Sequence, residues 1–229
     1  WGAALRSPHR AESLGNPAVT RSNTGQGMDF ELSQEQQAFR DTARDFAAAE
    51  LTPHAAEWDA KCVFPVEALR KAAALGFGGI YVKDDVGGAA LSRLDAALIF
   101  EELAQGCTST AAYISIHNMS AWMIDRWGSD AQRRRWLPGL CTMDLLASYC
   151  LTEPGSGSDA GALTTRAEKQ GDHYIVNGAK RYITNAPEAH IFTLMARTDP
   201  SGKDARGVAV IDDKTTDAEI TRLAGLGFK

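Results

Sequence analysis

Near Ser148 the chain changes its pattern, and that change limits it to folds in which a helical part precedes a sheet. Before Ser148, apolar residues recur at helical spacing. After it, short segments rich in β-branched and aromatic residues alternate with turn formers. Helices followed by a run of strands predict an α+β chain. The expected arrangement is an N-terminal helical bundle over 28–148 and a β-barrel-like middle domain over 149–229, with the boundary near 148–155. Residues 155–229 are few for a self-sufficient barrel, so the β domain is expected to be incomplete.

In the helical part, Ser33 and Gln36 form a capping-box pattern, and Phe39, Ala43 and Phe46 follow on one face. Pro53 is expected to close that helix. A second helix opens at Pro65, runs through Val66, Leu69 and Ala73, and ends at Gly76. Asp84–Gly88 reads as a turn. A third helix starts at Ser92, with Asp95 in the capping position. A fourth, over 109–127, is apolar nearly all round and should be buried. A fifth begins at Ser129-Asp130 and should stop at Pro138. The run Arg133-Arg134-Arg135 within it is expected to be a solvated face.

In the β part, Thr164-Thr165 has strand composition. The segments His173–Val176 and Lys180–Thr184 flank Asn177-Gly178, a tight-hairpin signal that predicts their pairing. Ile191–Arg197 and Gly207–Ile211 read as further strands, joined by a turn at Pro200-Ser201-Gly202.

Several partner classes are disfavoured. The net charge is −5, and no basic strip beyond the arginine run suggests a nucleic acid. The four cysteines form no CxxC pair and no zinc-ligand spacing, so neither a disulfide scaffold nor a metal is expected. No apolar run approaches the ~20 residues that span a bilayer. Residues 1–27 carry Arg6, Arg10 and Arg21 against a single acid, Glu12, loosely the composition of an organelle transit peptide. Because the segment lacks an amphipathic stripe, it is read in preference as a disordered leader upstream of a true start at Met28.

The most informative stretch is Tyr149–Asp159, YCLTEPGSGSD. It leaves a short strand and contains two glycines and several hydroxyls. Glycines allow a ligand close to the backbone, and successive free N–H groups make an anion-binding concavity. Ser156 and Ser158 add hydroxyl donors, which suits a diphosphate-bearing cofactor. A Rossmann reading of Gly155-x-Gly157-x-x-Ala160 fails, because no helix-opening βαβ pattern surrounds it. No serine has glycines two residues away on both sides, so there is no nucleophile elbow. On composition alone, a plain interdomain linker and a phosphate loop remain equally open.

The thirteen residues Cys150–Ala162, CLTEPGSGSDAGA, resemble the signature of the acyl-CoA dehydrogenase family. Residues 171–185, GDHYIVNGAKRYITN, resemble the family's second flavin segment. Leu32-Ser33-x-Glu35-Gln36, Asp85-Val86-Gly87-Gly88 and Gly106–Thr110 fit as well, so the resemblance covers about residues 30–229. Residues 106–125 together with SYCLTEPGSGSDA fit best the branch that oxidises isobutyryl-CoA in valine breakdown.

The resemblance implies FAD as cofactor and a short acyl-CoA thioester as substrate. A hydride passes from the acyl Cβ to flavin N5 while a carboxylate takes the Cα proton. It implies that Thr152 bonds the pyrimidine edge and that Ser158, beside Gly157, meets the FAD diphosphate or the CoA-side ligand. Tyr149 and Leu151 would supply backbone and surface around the ring. Tyr182 would lie against the isoalloxazine face, with Ile183 and Thr184 following and Thr184 bonding near N5. Ordinary strand composition is the alternative account of Tyr182 and Thr184. Helix 109–127 would line part of the acyl pocket.

The resemblance places the catalytic glutamate, further FAD contacts and most of an oligomer interface in a C-terminal helical domain that these residues do not include. Glu153 belongs to the signature but not to the base position, and Glu101, Glu102 and Glu188 have no motif to recommend them. No catalytic residue is therefore assigned, and the chain alone is expected to be inactive. Three readings stand: part of an active dehydrogenase that passes electrons to electron-transfer flavoprotein, a non-catalytic flavin- or protein-binding module, or an oxidase of the same superfamily. Alanine- and arginine-rich usage suggests a bacterial cytoplasm, with the mitochondrial matrix as the alternative.

Overall fold

The computed structural model describes residues 31–171, 173–198 and 208–212. The leader over 1–27, the turn at Pro200–Gly202 and Gly207 lie outside the described residues. Helix α1, Gln34–Phe46, starts at the expected capping box: Gln36 N donates to Ser33 Oγ and Ser33 N to Gln36 Oε1, both at 3.1 Å. It passes into a π-helical turn, Ala47–Leu51, before Pro53. This wider turn lies hard against Gly106, where an added Cβ would sit 2.9 Å from the Ala47 carbonyl oxygen. Helix α2, Ala55–Lys61, was not evident in the sequence pattern. Helix α3, Val66–Ala74, follows Pro65, and the chain leaves it through Gly76 at φ 87°. Helix α4, Arg93–Gly106, has the second capping box, Ser92 with Asp95.

Helix α5, Thr108–Trp127, is buried as expected, but with a polar content that its apolar pattern conceals. Asn118 is fully buried; its Oδ1 accepts from Ile80 N and its Nδ2 donates to Phe77 O, both at 2.7 Å. A buried amide is tolerated when its hydrogen-bonding capacity is filled, and here it holds the irregular 77–80 turn. Leu51, Leu69, Ile99, Leu103, Ile114 and Met143 form the main core around α5.

Helix α6, Asp130–Cys141, runs through Pro138 instead of stopping there. Leu137 and Leu140 are fully buried, and this burial holds the last turn despite the lost N–H. The arginine run is solvated only in part. Arg134 and Arg135 are exposed, but the Arg133 side chain is only 11% exposed. It bonds both Asp125 and Asp85, tying α6 to α5 and to the 84–88 turn.

Five strands follow: β1 Ala147–Cys150, β2 Arg166–Gln170, β3 His173–Asn177, β4 Ile191–Met195 and β5 Val208–Asp212. Strands β1 and β4 are parallel, β4 and β5 antiparallel, and β2 pairs with β3 in a separate ribbon. Among the described residues, these two small sheets do not close into a barrel. The hairpin predicted at Asn177-Gly178 is not formed. The reversal lies one strand earlier, where Gln170 pairs with His173 and Gly171 takes φ 64°. Glycine takes that left-handed backbone without steric cost, which lets the chain reverse there. Residues 180–184 are consequently not a strand; they turn inward to meet the segment that follows β1.

Candidate functional site

The signature segment and the 180–185 segment run antiparallel along the free edge of β1. Ser148 Oγ donates to the Thr184 carbonyl at 2.7 Å, and Arg181 N donates to the Thr152 carbonyl at 2.8 Å. Asn185 Nδ2 continues the join, donating to Ala147 O at 3.1 Å and to Tyr113 O on α5 at 3.0 Å. This arrangement brings together six of the residues singled out from the sequence: Tyr149, Leu151, Thr152, Tyr182, Ile183 and Thr184. Gly157 and Ser158 lie on the exposed loop beyond, with no hydrogen bond to 180–185 among the described residues.

The polar rim is open. Among the described residues, the hydroxyls of Thr152, Ser158 and Thr184 have no hydrogen-bond partner. The backbone N–H groups of Gly157 and Ser158 are likewise unpaired there. A Cβ added at Gly155 or Gly157 would meet nothing within 4 Å, so the loop presents bare backbone to open space. Tyr182 is 78% exposed and sits at φ 58°, a left-handed conformation that costs a non-glycine residue about 1–2 kcal/mol. The Arg181 guanidinium lies 4.6 Å from its ring centroid, covering one face. Half-burial pushes the Tyr149 hydroxyl above its ordinary pKa, so it remains a neutral donor.

Beneath the rim is a network that sequence reasoning missed. Glu153 Oε1 accepts from Lys180 Nζ at 2.8 Å and from Thr165 N at 2.9 Å. Its Oε2 accepts from Thr164 N and Thr164 Oγ1 at 2.6 and 2.8 Å. Burial alone would raise the Glu153 pKa, but the Lys180 ammonium and these donors outweigh it and hold the carboxyl at about 2. Glu153 is thus an ionised anchor, not a proton acceptor poised near neutral pH. No local signal marked Lys180: it stands beside Arg181, and only the fold buries one of the two basic neighbours and exposes the other.

Behind Thr184 opens a cavity of about 450 Å³, lined among others by Trp58, Phe64, Cys107, Tyr113, Thr184 and Asn185. Tyr113 packs on Phe64 with ring centroids 4.6 Å apart. The cavity therefore joins the first turns of α5 to residues 183–185. The remaining glutamates from the sequence reading do not contribute. Glu102 is buried against Arg44, with Arg44 Nη2 at 2.6 Å, while Glu101 and Glu188 are exposed. Among the described residues there is no cluster able to hold a metal, and no helix is long and apolar enough to cross a membrane.

Comparison with known proteins gives two adjacent family matches: "Acyl-CoA dehydrogenase, N-terminal domain" over residues 33–144 and "Acyl-CoA dehydrogenase, middle domain" over 148–229. The mitochondrial isobutyryl-CoA dehydrogenase of Bos taurus is 59% identical over 180 residues, which is 79% of this chain and 43% of that protein. Its counterpart from Dictyostelium discoideum is 50% identical over the same shares. Among solved structures, butyryl-CoA dehydrogenase from Megasphaera elsdenii superposes with a TM-score of 0.75 at 34% identity, covering 82% of this chain and 51% of that one. An FAD complex of PigA gives 0.77 at 32% identity, covering 82% and 50%. The chain spans about half the length of the relatives it matches, or less.

Proposed function

The chain belongs to the acyl-CoA dehydrogenase family, and from that premise we propose that it is the FAD-binding portion of an enzyme that desaturates a short branched acyl-CoA, isobutyryl-CoA, in valine breakdown. Residues 28–148 would be its helical domain and 149–229 its middle domain. The observation that carries the reading is the antiparallel run of 148–153 beside 180–185, which brings the exposed Tyr182 together with Thr152 and Thr184, whose hydroxyls have no partner among the described residues.

The donor set fits FAD. Gly155 and Gly157 offer unobstructed backbone, and Gly157 N, Ser158 N and Ser158 Oγ, which have no partner among the described residues, are available donors for a diphosphate. Thr152 would bond the pyrimidine edge and Thr184 the N5 side. Tyr182 would stack on the ring system, with Tyr149, Leu151 and Ile183 bordering it. When bound, FAD supplies the two-electron acceptor for a hydride leaving the acyl Cβ. The residues of this chain bind and orient; the aromatic cavity of Trp58, Phe64 and Tyr113 would exclude water around a small acyl chain. The carboxylate that takes the Cα proton is assigned to the helical domain that the resemblance implies, not to Glu153.

The high identity to two isobutyryl-CoA dehydrogenases supports the substrate, and their mitochondrial names support the mitochondrial alternative for the compartment. Electron-transfer flavoprotein is the proposed acceptor, and the complete enzyme is proposed to be a homo-oligomer. The test is an FAD titration of the chain, followed by fusion to the C-terminal portion of the bovine relative. We expect weak, saturable FAD binding without bleaching by isobutyryl-CoA, and bleaching once the fusion is made. Absence of saturable FAD binding in both would overturn the reading.

A further inference from the structure

We propose that Glu153 and Lys180 are positioning residues that set the spacing between the two flavin-contacting segments, an inference that rests on the FAD reading above. The pair is nearly inaccessible, with side chains 3% and 1% exposed. Its connections reach three separate stretches of chain. Lys180 Nζ bonds both Glu153 Oε1 and the Leu151 carbonyl, at 2.8 and 2.9 Å. Glu153 in turn holds Thr164 and Thr165.

Thr152 lies between the two residues that the ammonium grips, Leu151 and Glu153. Lys180 immediately precedes Arg181, whose N–H meets the Thr152 carbonyl, and Tyr182 with its left-handed backbone follows. One ammonium therefore sets the register of Thr152 against Tyr182–Thr184 from beneath. Stability is a weak reason for such a pair. Desolvating two charges offsets most of their attraction, and apolar replacements of similar volume are often as stable. What an apolar pair cannot supply is direction: four donors converge on one carboxylate, and one ammonium divides between a side chain and a main-chain carbonyl.

The test uses the 229-residue chain with Glu153→Gln, Lys180→Met, the double variant Glu153→Gln/Lys180→Met, and Arg133→Met as a buried ion-pair control away from the site. In the absence of FAD, amide exchange at Arg181 should accelerate in the double variant while exchange in α4 and α5 is unchanged. Unaltered protection at Arg181 would overturn the clamp whatever FAD does. In FAD titrations each single variant should bind about tenfold more weakly, with an altered visible band at saturation. The double variant, which leaves no charge unpaired, should regain thermal stability but not FAD affinity. Arg133→Met should lose stability and keep its FAD affinity. Joint recovery of affinity and stability in the double variant would reduce the pair to a structural role and sink the proposal. Failure of the unaltered chain to bind FAD would remove the flavin role, and the exchange measurement would still judge the clamp.

Discussion

Ser148 and Thr184 are joined by a 2.7 Å hydrogen bond from the Ser148 hydroxyl to the Thr184 carbonyl, across 36 positions of sequence. Ser148 is fully buried, and its own carbonyl accepts from Thr193 Oγ1 at 3.2 Å on the neighbouring strand β4. A single serine thus links the sheet to the segment that presents Tyr182 and Thr184. The site owes its shape to the edge of a sheet instead of to a hairpin.

Ser148→Ala should cost about 1 kcal/mol of stability, the net value of one intramolecular hydrogen bond. Chemical denaturation measures this. FAD affinity should fall as well, because the Thr184 carbonyl loses its anchor. A stable variant with undiminished affinity would separate the bond from the site.

His117 predicts an acid-sensitive fold. Its Nε2 lies 2.9 Å from the Leu140 carbonyl and its Nδ1 accepts from Ala147 N at 3.2 Å, so the neutral ring is the form that satisfies both. Burial lowers its pKa from 6.5 to about 4, the two backbone carbonyls at Leu140 and Gly78 opposing only in part. Because the unfolded chain binds the proton more readily, stability is full above pH 6.5 and falls as pH drops toward 4. The loss should be on the order of 3 kcal/mol. Urea midpoints at about pH 7.5 and about pH 5 should differ, and His117→Gln should narrow the difference. Glu153 has a lower window, between its ordinary 4.5 and about 2, so the two contributions separate.

Three glycines should respond differently to alanine. At Gly178 a Cβ would stand 2.3 Å from Thr165 Oγ1 and 2.7 Å from Thr165 Cα, so Gly178→Ala should destabilise by about 1–3 kcal/mol through overpacking. Gly155→Ala and Gly157→Ala meet open space and should leave the melting temperature unchanged. Their effect should appear only as weaker FAD binding, since a methyl group would intrude on the bare loop. Unchanged affinity in both would remove the loop from the cofactor site.

Tyr182→Ala removes a side chain that is 78% exposed, so stability should move by less than about 0.5 kcal/mol. Flavin fluorescence quenching on binding should be largely lost, because the variant lacks the ring proposed to stack on the isoalloxazine. Tyr182→Gly should be more stable than Tyr182→Ala, because glycine adopts φ 58° without cost.

Residue order alone set the local features. The capping boxes at Ser33 and Ser92 need only a partner three residues away, and both formed. The switch from helices to strands near Ser148, and the exposed glycine loop after it, also depend on neighbours in sequence and were legible there. Three-dimensional packing chose the rest. Asn177-Gly178 lost its hairpin to Gly171, the α6 helix continued through Pro138, and Arg133 left the surface for Asp85 and Asp125. Lys180 found Glu153 across 27 positions. The last three of these outcomes turn on burial, where a side chain must find whichever partner the fold brings near. Local pattern sees only nearest neighbours, so it carries no record of that choice.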